Sequence, residues 1–148
     1  MFKKIVVGID GSKPAENALR IACDLARKYD SELHIVHTPK AETVAFALGA
    51  VAGYHVATTM PSPKERKEAG EKVLSAGLAI CDSCGSRSPA THIGDGDPAD
   101  DLLECAETCG ADLIVTGRRG LGNLTAAVLG STSQKISHHA KCACLTVA

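Results

Sequence analysis

Tryptophan is absent, and two tyrosines and two phenylalanines bring aromatics to only 3% of the 148 residues. A surface that stacks successive bases needs aromatic platforms, so such a surface is excluded. Excess charge is also missing. The 16 Lys and Arg are balanced by 17 Asp and Glu, for a formal charge of −1. No nucleic-acid partner is expected without a basic face. No run reaches the ~18–20 apolar residues that span a bilayer. The most weakly polar stretch, Thr43 to Gly53, is short and carries two glycines, so no membrane partner is expected. After Lys3 and Lys4, only the apolar run Ile5 to Ile9 precedes Asp10. A secretory core needs about 7–15 residues, so none is read and a cytoplasmic location is expected. The seven cysteines are an odd number, which fits free thiols in a reducing compartment better than a disulfide framework.

What remains is the composition of a folded chain, with 45% hydrophobic and 22% charged residues. One domain over residues 1–148 is expected, with a core of aliphatic side chains and alanine.

The segment Lys4 to Asp10 runs from charge into β-branched residues without alternating, as a strand buried on both faces does. Gly11-Ser12 reads as a turn, Pro14 suits a first helical turn, and Ala15, Ala18, Leu19, Ala22, Leu25 and Ala26 keep helical spacing to about Tyr29. Glu32 to His37 is a second strand, completing a βαβ unit with parallel strands. Lys40 to Met60 is an irregular insertion with one short helix near Glu42 to Leu48. Ser62-Pro-Lys-Glu65 is a capping box opening a helix that runs to about Cys84, with Gly85 just beyond. Ala90 to Ile93 is a third strand. Asp97-Pro98 starts another helix, which Gly110 ends, and Ala111 to Thr116 is a fourth strand. A glycine-rich loop, a helix from Ser131 to His139 and a last strand, Ala143 to Val147, complete the chain.

This alternation predicts a single three-layer α/β domain with an open, mostly parallel five-stranded sheet. Ligands of such sheets bind beyond the carboxyl ends of the strands. The residues to watch are therefore Asp10 to Ser12, Thr38, Gly94 to Asp97, and Gly117 onward.

The richest segment is Gly117-Arg118-Arg119-Gly120-Leu-Gly-Asn-Leu-Thr-Ala-Ala-Val-Leu-Gly130-Ser131-Thr132-Ser133. Glycines after a strand let backbone N–H groups approach an anion, and a helix start is itself an anion site. An ordinary glycine turn followed by a Ser/Thr cap is the alternative. The loop is not a Walker A motif, because Asn123-Leu124 follow Gly122 where Lys-Ser/Thr is required.

The spacing Gly117-x2-Gly120-x9-Gly130-Ser131 resembles the ATP-binding signature of the universal stress protein family. Ile5 to Ser12, Leu33 to His37, Gly96 to Ala99 and the last strand are similar to that family too, and only Lys40 to Met60 falls outside the likeness. The resemblance implies a Rossmann-like, adenine nucleotide-binding fold. It implies a pocket wall at Gly8 and Ile9, an acid lining the pocket at Asp10, and a backbone contact to adenine at Thr38. It places Thr116, Gly117, Arg118, Arg119 and Gly120 beside the ribose and phosphates, and Gly130, Ser131, Thr132 and Ser133 on the phosphates. ATP, or AMP or ADP, is the implied ligand, with Mg²⁺ accompanying a triphosphate. A homodimer through the C-terminal strand and a protein partner of unknown identity are also implied. The chain departs from the family pattern at Ala143 and Gly8, where many members have proline.

The functional expectation is a stress-response protein acting as a nucleotide-dependent switch. Little or no hydrolysis is expected, because no base is found for an attacking water and no catalytic residue is named. Two alternatives stand: a dimeric interaction protein that needs no nucleotide, and a thiol redox sensor using Cys81 and Cys84. No metal site is expected. Cys81-x-x-Cys84 and Cys142-x-Cys144, with His138-His139 nearby, have ligand-like spacing but do not complete a zinc motif. Cys105 and Cys109 read as small buried hydrophobes on a helix, and His34, His37 and His92 as hydrogen-bonded strand residues. Gly94-x-Gly96-x-x-Ala99 fits a relaxed dinucleotide pattern, but Asp95 and Asp97 would repel a pyrophosphate, and Asp97 is accounted for as a helix cap.

Overall fold

The computed structural model describes residues 1–47, 61–121 and 129–148. Five strands form one sheet: β1 Lys4–Gly8, β2 Glu32–His37, β3 Ala90–Ile93, β4 Leu113–Gly117 and β5 Ala143–Val147. Five helices accompany them: α1 Lys13–Tyr29, α2 Ala41–Ala47, α3 Pro63–Ser83, α4 Pro98–Cys109 and α5 Ser131–His139. The strand order is β3-β2-β1-β4-β5, and every pairing is parallel. The direction of winding therefore reverses between β1 and β4, which opens a crevice at their carboxyl ends.

Strand β1 is central because nothing in it needs water: Ile5, Val6 and Val7 are all fully buried. Its alternate side chains feed two cores. Ile5 and Val7 join Leu19, Ala22, Leu33, Ile35, Val73 and Val115 under α1 and α3. Val6 joins Val36, Leu102, Ala106, Ile114 and Ile136 under α4 and α5. Burial on both faces explains the unbroken apolar run. The edge strands differ, with β3 exposed along its whole length and β5 exposed at Ala143 and Cys144.

Local chemistry fixes the helix ends. Ser12 caps α1 by accepting from the Ala15 N–H, and Asp30 ends it in the left-handed region at φ 55°. Ser62 and Glu65 form the reciprocal capping box of α3. Asp97 caps α4, and Gly110 closes it at φ 69°.

Two strand boundaries differ from the sequence reading. Strand β1 ends at Gly8 rather than Asp10, because Asp10 turns its carboxylate back onto the Ser12 N–H (2.9 Å) and starts the turn into α1. Strand β4 runs from Leu113 to Gly117 rather than from Ala111 to Thr116. The Ala111 N–H is still held by the Ala106 carbonyl of the preceding helix end. The short helix read near Glu42 to Leu48 is α2, one residue earlier. The rest of that insertion, the end of the glycine-rich loop read over Gly117 to Asn123 (Gly122 and Asn123) and most of the turn read after it lie outside the described residues.

Candidate functional site

Where the winding reverses, the carboxyl ends of β1, β2 and β4 border a cleft of about 250 Å³. Gly8, Ile9 and Asp10 enter from β1, Thr38 from β2, and Thr116 and Gly117 from β4. Arg119 and Gly120 follow, and the start of α5 contributes Gly130, Ser131, Thr132 and Ser133. Twelve of the thirteen residues singled out in the sequence therefore border one space. Arg118 does not. It is exposed and acts through its backbone: its N–H donates to the Val147 carbonyl, and its carbonyl accepts from the Gly130 N–H (2.9 Å). Arg118 thus ties the loop both to β5 and to the start of α5.

Two glycines sit at close approaches, and at Gly117 the approach requires glycine. A Cβ on Gly117 would stand 2.9 Å from the backbone of Pro14 and Ala15, where neither side can yield. A Cβ on Gly120 would collide with the Asp10 carboxylate at the cleft mouth. The third device is the start of α5. Its N-cap is Gly130, and no side chain caps the helix. The first-turn N–H groups of a helix lack intrahelical acceptors, so those at Ser131 and Thr132 are offered to whatever occupies the cleft. The three hydroxyls are not equivalent donors. Ser133 is buried, and its hydroxyl donates to the Gly130 and Arg118 carbonyls (3.0 and 3.3 Å). Ser131 and Thr132 are the exposed and half-exposed hydroxyls on that wall.

Thr38 is buried, and its hydroxyl donates to Asp101 Oδ2 (2.7 Å). Asp101 also accepts from the Gly96 N–H (3.3 Å), so it pins the loop after β3 to the end of β2. His37, next in the chain, sits 2.8 Å through Nδ1 from the Ile9 carbonyl. Burial holds the His37 imidazole below its ordinary pKa, although the Ile9 carbonyl and the Asp10 carboxylate both act upward. The ring is therefore neutral, and Nδ1–H is the donor that fixes the Ile9 wall.

Sequence reading missed several lining residues. Lys40 and Thr43 come from the start of the insertion, and Pro98 and Leu102 from α4. Lys40 brings an amine to the cleft wall. Its Nζ lies 3.7 Å from Asp97 Oδ2, and Lys135 Nζ is 3.3 Å from the other Asp97 oxygen. The only available signal was its place two residues after Thr38. Asp97 itself accepts from the Ala99 and Asp100 N–H groups (3.1 and 3.4 Å), so the Gly94–Ala99 segment is a helix cap, as read.

Asp10 is the one carboxylate lining the cleft among the described residues. A Mg²⁺ ion arriving with phosphates fits there, because Mg²⁺ takes one or two carboxylates and keeps water and phosphate oxygens.

The thiols arrange themselves differently from the spacing. Cys81 is fully buried, and its partner is Cys23 of α1, with Sγ atoms 3.4 Å apart. The Cys81 hydrogen bond and burial push the Cys23 thiol up, so it stays protonated. Cys84, the other half of the read pair, is the C-cap of α3.

The architecture defines an open parallel α/β domain with a glycine-walled cleft at its switch point. The model of the universal stress protein family matches residues 1–148, and the chain belongs to that family. It is 35% identical over 147 residues to a universal stress protein of Thermus aquaticus, covering 99% of each chain. It is 32% identical over 149 residues to the universal stress protein YxiE of Bacillus subtilis, again covering 99% of each. The universal stress protein of Archaeoglobus fulgidus, solved in complex with dAMP, has the same fold, with a TM-score of 0.70 at 23% identity over 99% of this chain and 98% of that one.

Proposed function

We propose that the cleft binds an adenine nucleotide, with ATP as the full-length ligand and AMP or ADP as partial ones. The observation that carries this reading is the side-chain-free start of α5 at Gly130, which lines the same cleft as Lys40 and Arg119. An uncapped helix N-terminus together with two cationic residues favours a phosphate chain. The apolar side chains of Ile9, Pro98 and Leu102 offer a slot for a base, and the dAMP bound by the Archaeoglobus fulgidus relative agrees with that choice. In this arrangement Thr38 presents its backbone to the base, since its hydroxyl is committed to Asp101. Gly117 and Gly120 leave room for the ribose. Mg²⁺ bound at Asp10 would screen phosphate charge.

Phosphates engaging Ser131 and Thr132 would tighten the Arg118 tie between loop, helix and β5. Because β5 is an exposed edge, the same event would alter the surface offered to a second copy of the chain. This makes a nucleotide-dependent switch acting through a homodimer, with little or no hydrolysis, the function we favour.

Calorimetric titration with ATP·Mg²⁺ tests the site. Wild type is expected to bind, and Gly130→Asp to lose at least ~100-fold in affinity, since a like charge then meets the phosphates. Unchanged affinity in the variant would remove α5 from the site. For the dimer, sedimentation should show Cys144→Lys as a monomer at concentrations where wild type pairs, because an edge lysine blocks strand addition. Equal mass for both proteins would place any interface elsewhere.

A further inference from the structure

The second core face, away from the cleft, carries a cluster that the proposed nucleotide function does not use. His34 lies in the middle of β2 and is buried. The exposed His92 ring on β3 stacks on it, with centroids 5.3 Å apart and planes 17° apart. His34 Nδ1 lies 3.1 Å from His92 Nε2, so that nitrogen is partnered. His34 Nε2 is fully buried and has no hydrogen-bond partner. The Glu32 Oε1 carboxylate oxygen stands 3.0 Å from it, outside hydrogen-bonding geometry. A buried polar atom left in that state needs a reason. Cys105 and Cys109, one turn apart on α4, face the same place. A ring nitrogen of His34 and both Sγ atoms lie within 4.8 Å of one another.

We propose that His34, Cys105 and Cys109, with Glu32 as fourth ligand, bind one thiophilic divalent metal ion of the zinc class. Tetrahedral zinc, with Zn–S of about 2.3 Å and Zn–N of about 2.0 Å, separates its ligands by about 3.4–3.8 Å. Closing the three-residue cluster therefore takes side-chain movements of about 1 Å, and Glu32, beside His34 but outside that group, must turn farther to complete it. Two sulfurs and an imidazole select a borderline-soft ion and disfavour Mg²⁺ and Ca²⁺, which demand oxygen. Binding releases the two thiol protons to solvent. Two thiolates and a carboxylate leave one negative charge around a divalent ion, and Lys4 Nζ lies 3.7 Å from Glu32 Oε2 to offset it. His92 orients the imidazole through Nδ1, as outer-shell partners of metal-bound histidines do. Both cysteines are half-buried rather than sealed, so an ion has a path of entry. None of His34, Cys105 and Cys109 lines the cleft, so the two sites are separate.

The test is a titration of the reduced full-length protein with Co²⁺, followed by Zn²⁺. Wild type should take up one equivalent of Co²⁺ with thiolate-to-cobalt charge-transfer absorption and intense tetrahedral d–d bands, and one equivalent of Zn²⁺ should abolish them. Cys105→Ser/Cys109→Ser should lose these bands and bind Zn²⁺ at least ~100-fold more weakly. Cys142→Ser/Cys144→Ser should keep them. If the double variant at 105 and 109 does not fold by circular dichroism, Cys109→Ser, at the last residue of α4, carries the same expectation. Wild type without the charge-transfer bands, or bands that survive loss of Cys109, would overturn the proposal.

Discussion

His37 shows how a single side chain couples the core to the cleft. Its Nδ1–H holds the Ile9 carbonyl, and burial keeps the ring neutral. The unfolded chain titrates near pH ~6.5. Above that value both states are neutral and stability is unaffected. As pH falls through it, the unfolded chain gains a proton that the folded ring resists, so the fold weakens. His92 is also depressed, by burial and then by His34, and acts in the same direction. Urea midpoints should therefore drop between pH 7.5 and 5.5. His37→Asn, whose amide can keep the donor, should show a smaller drop. An identical drop in both proteins would mean that His37 is not the group responsible. At this scale the glycines were legible and the polar partners were not. Gly117 and Gly130 announce themselves by spacing, and at Gly117 the approach of the Pro14–Ala15 backbone leaves no room for a Cβ. The bond between Thr38 and Asp101 joins residues far apart in sequence and carries no local mark. Ser133 looked like a ligand donor, yet its hydroxyl serves two carbonyls of its own loop.

Among the elements, α4 carries the heaviest demands. Its N-terminal turn borders the cleft through Pro98 and Leu102, and its C-terminal turn brings Cys105 and Cys109 to His34. Asp97 starts it, bonded to two backbone N–H groups and facing Lys40 and Lys135. Desolvation is the largest single influence on this carboxyl and acts upward. The Asp100 N–H, Lys135 and the Ala99 N–H outweigh it and leave the pKa below the ordinary value. Asp97→Ala should cost about 1–2 kcal/mol in urea denaturation, the range for losing a helix cap. Asp97→Asn, which keeps the cap acceptor, should recover most of it. A loss of equal size in both would assign the effect to the lysine pairs instead. Element ends were legible wherever caps wrote them: Ser62 with Glu65, Asp97, Gly110 and Gly130 all fall where the sequence placed them. The ends of β1 and β4 shifted because turn hydrogen bonds at Asp10 and Ala111 compete with strand pairing, and apolar runs do not record that competition.

For the whole molecule, alternation of strands and helices was enough to give one three-layer α/β domain. The strand order β3-β2-β1-β4-β5 is a tertiary outcome that the alternation does not state. That order brings Asp10, Thr38 and Gly117 to one cleft and sends His34, Cys105 and Cys109 to a separate place on one sheet face. Among the described residues, no helix is long and apolar enough to cross a membrane. Occupation of the switch-point cleft by an adenine nucleotide is the proposal on which the switch depends. Its most direct test is titration of isotopically labelled protein with ATP·Mg²⁺, followed by amide chemical shifts. Saturable shifts are expected at Gly8, Asp10, Thr38, Gly117, Gly120, Ser131 and Thr132, with His34 and Cys109 unmoved. Absence of saturable shifts, or shifts gathered away from these strand ends, would contradict it.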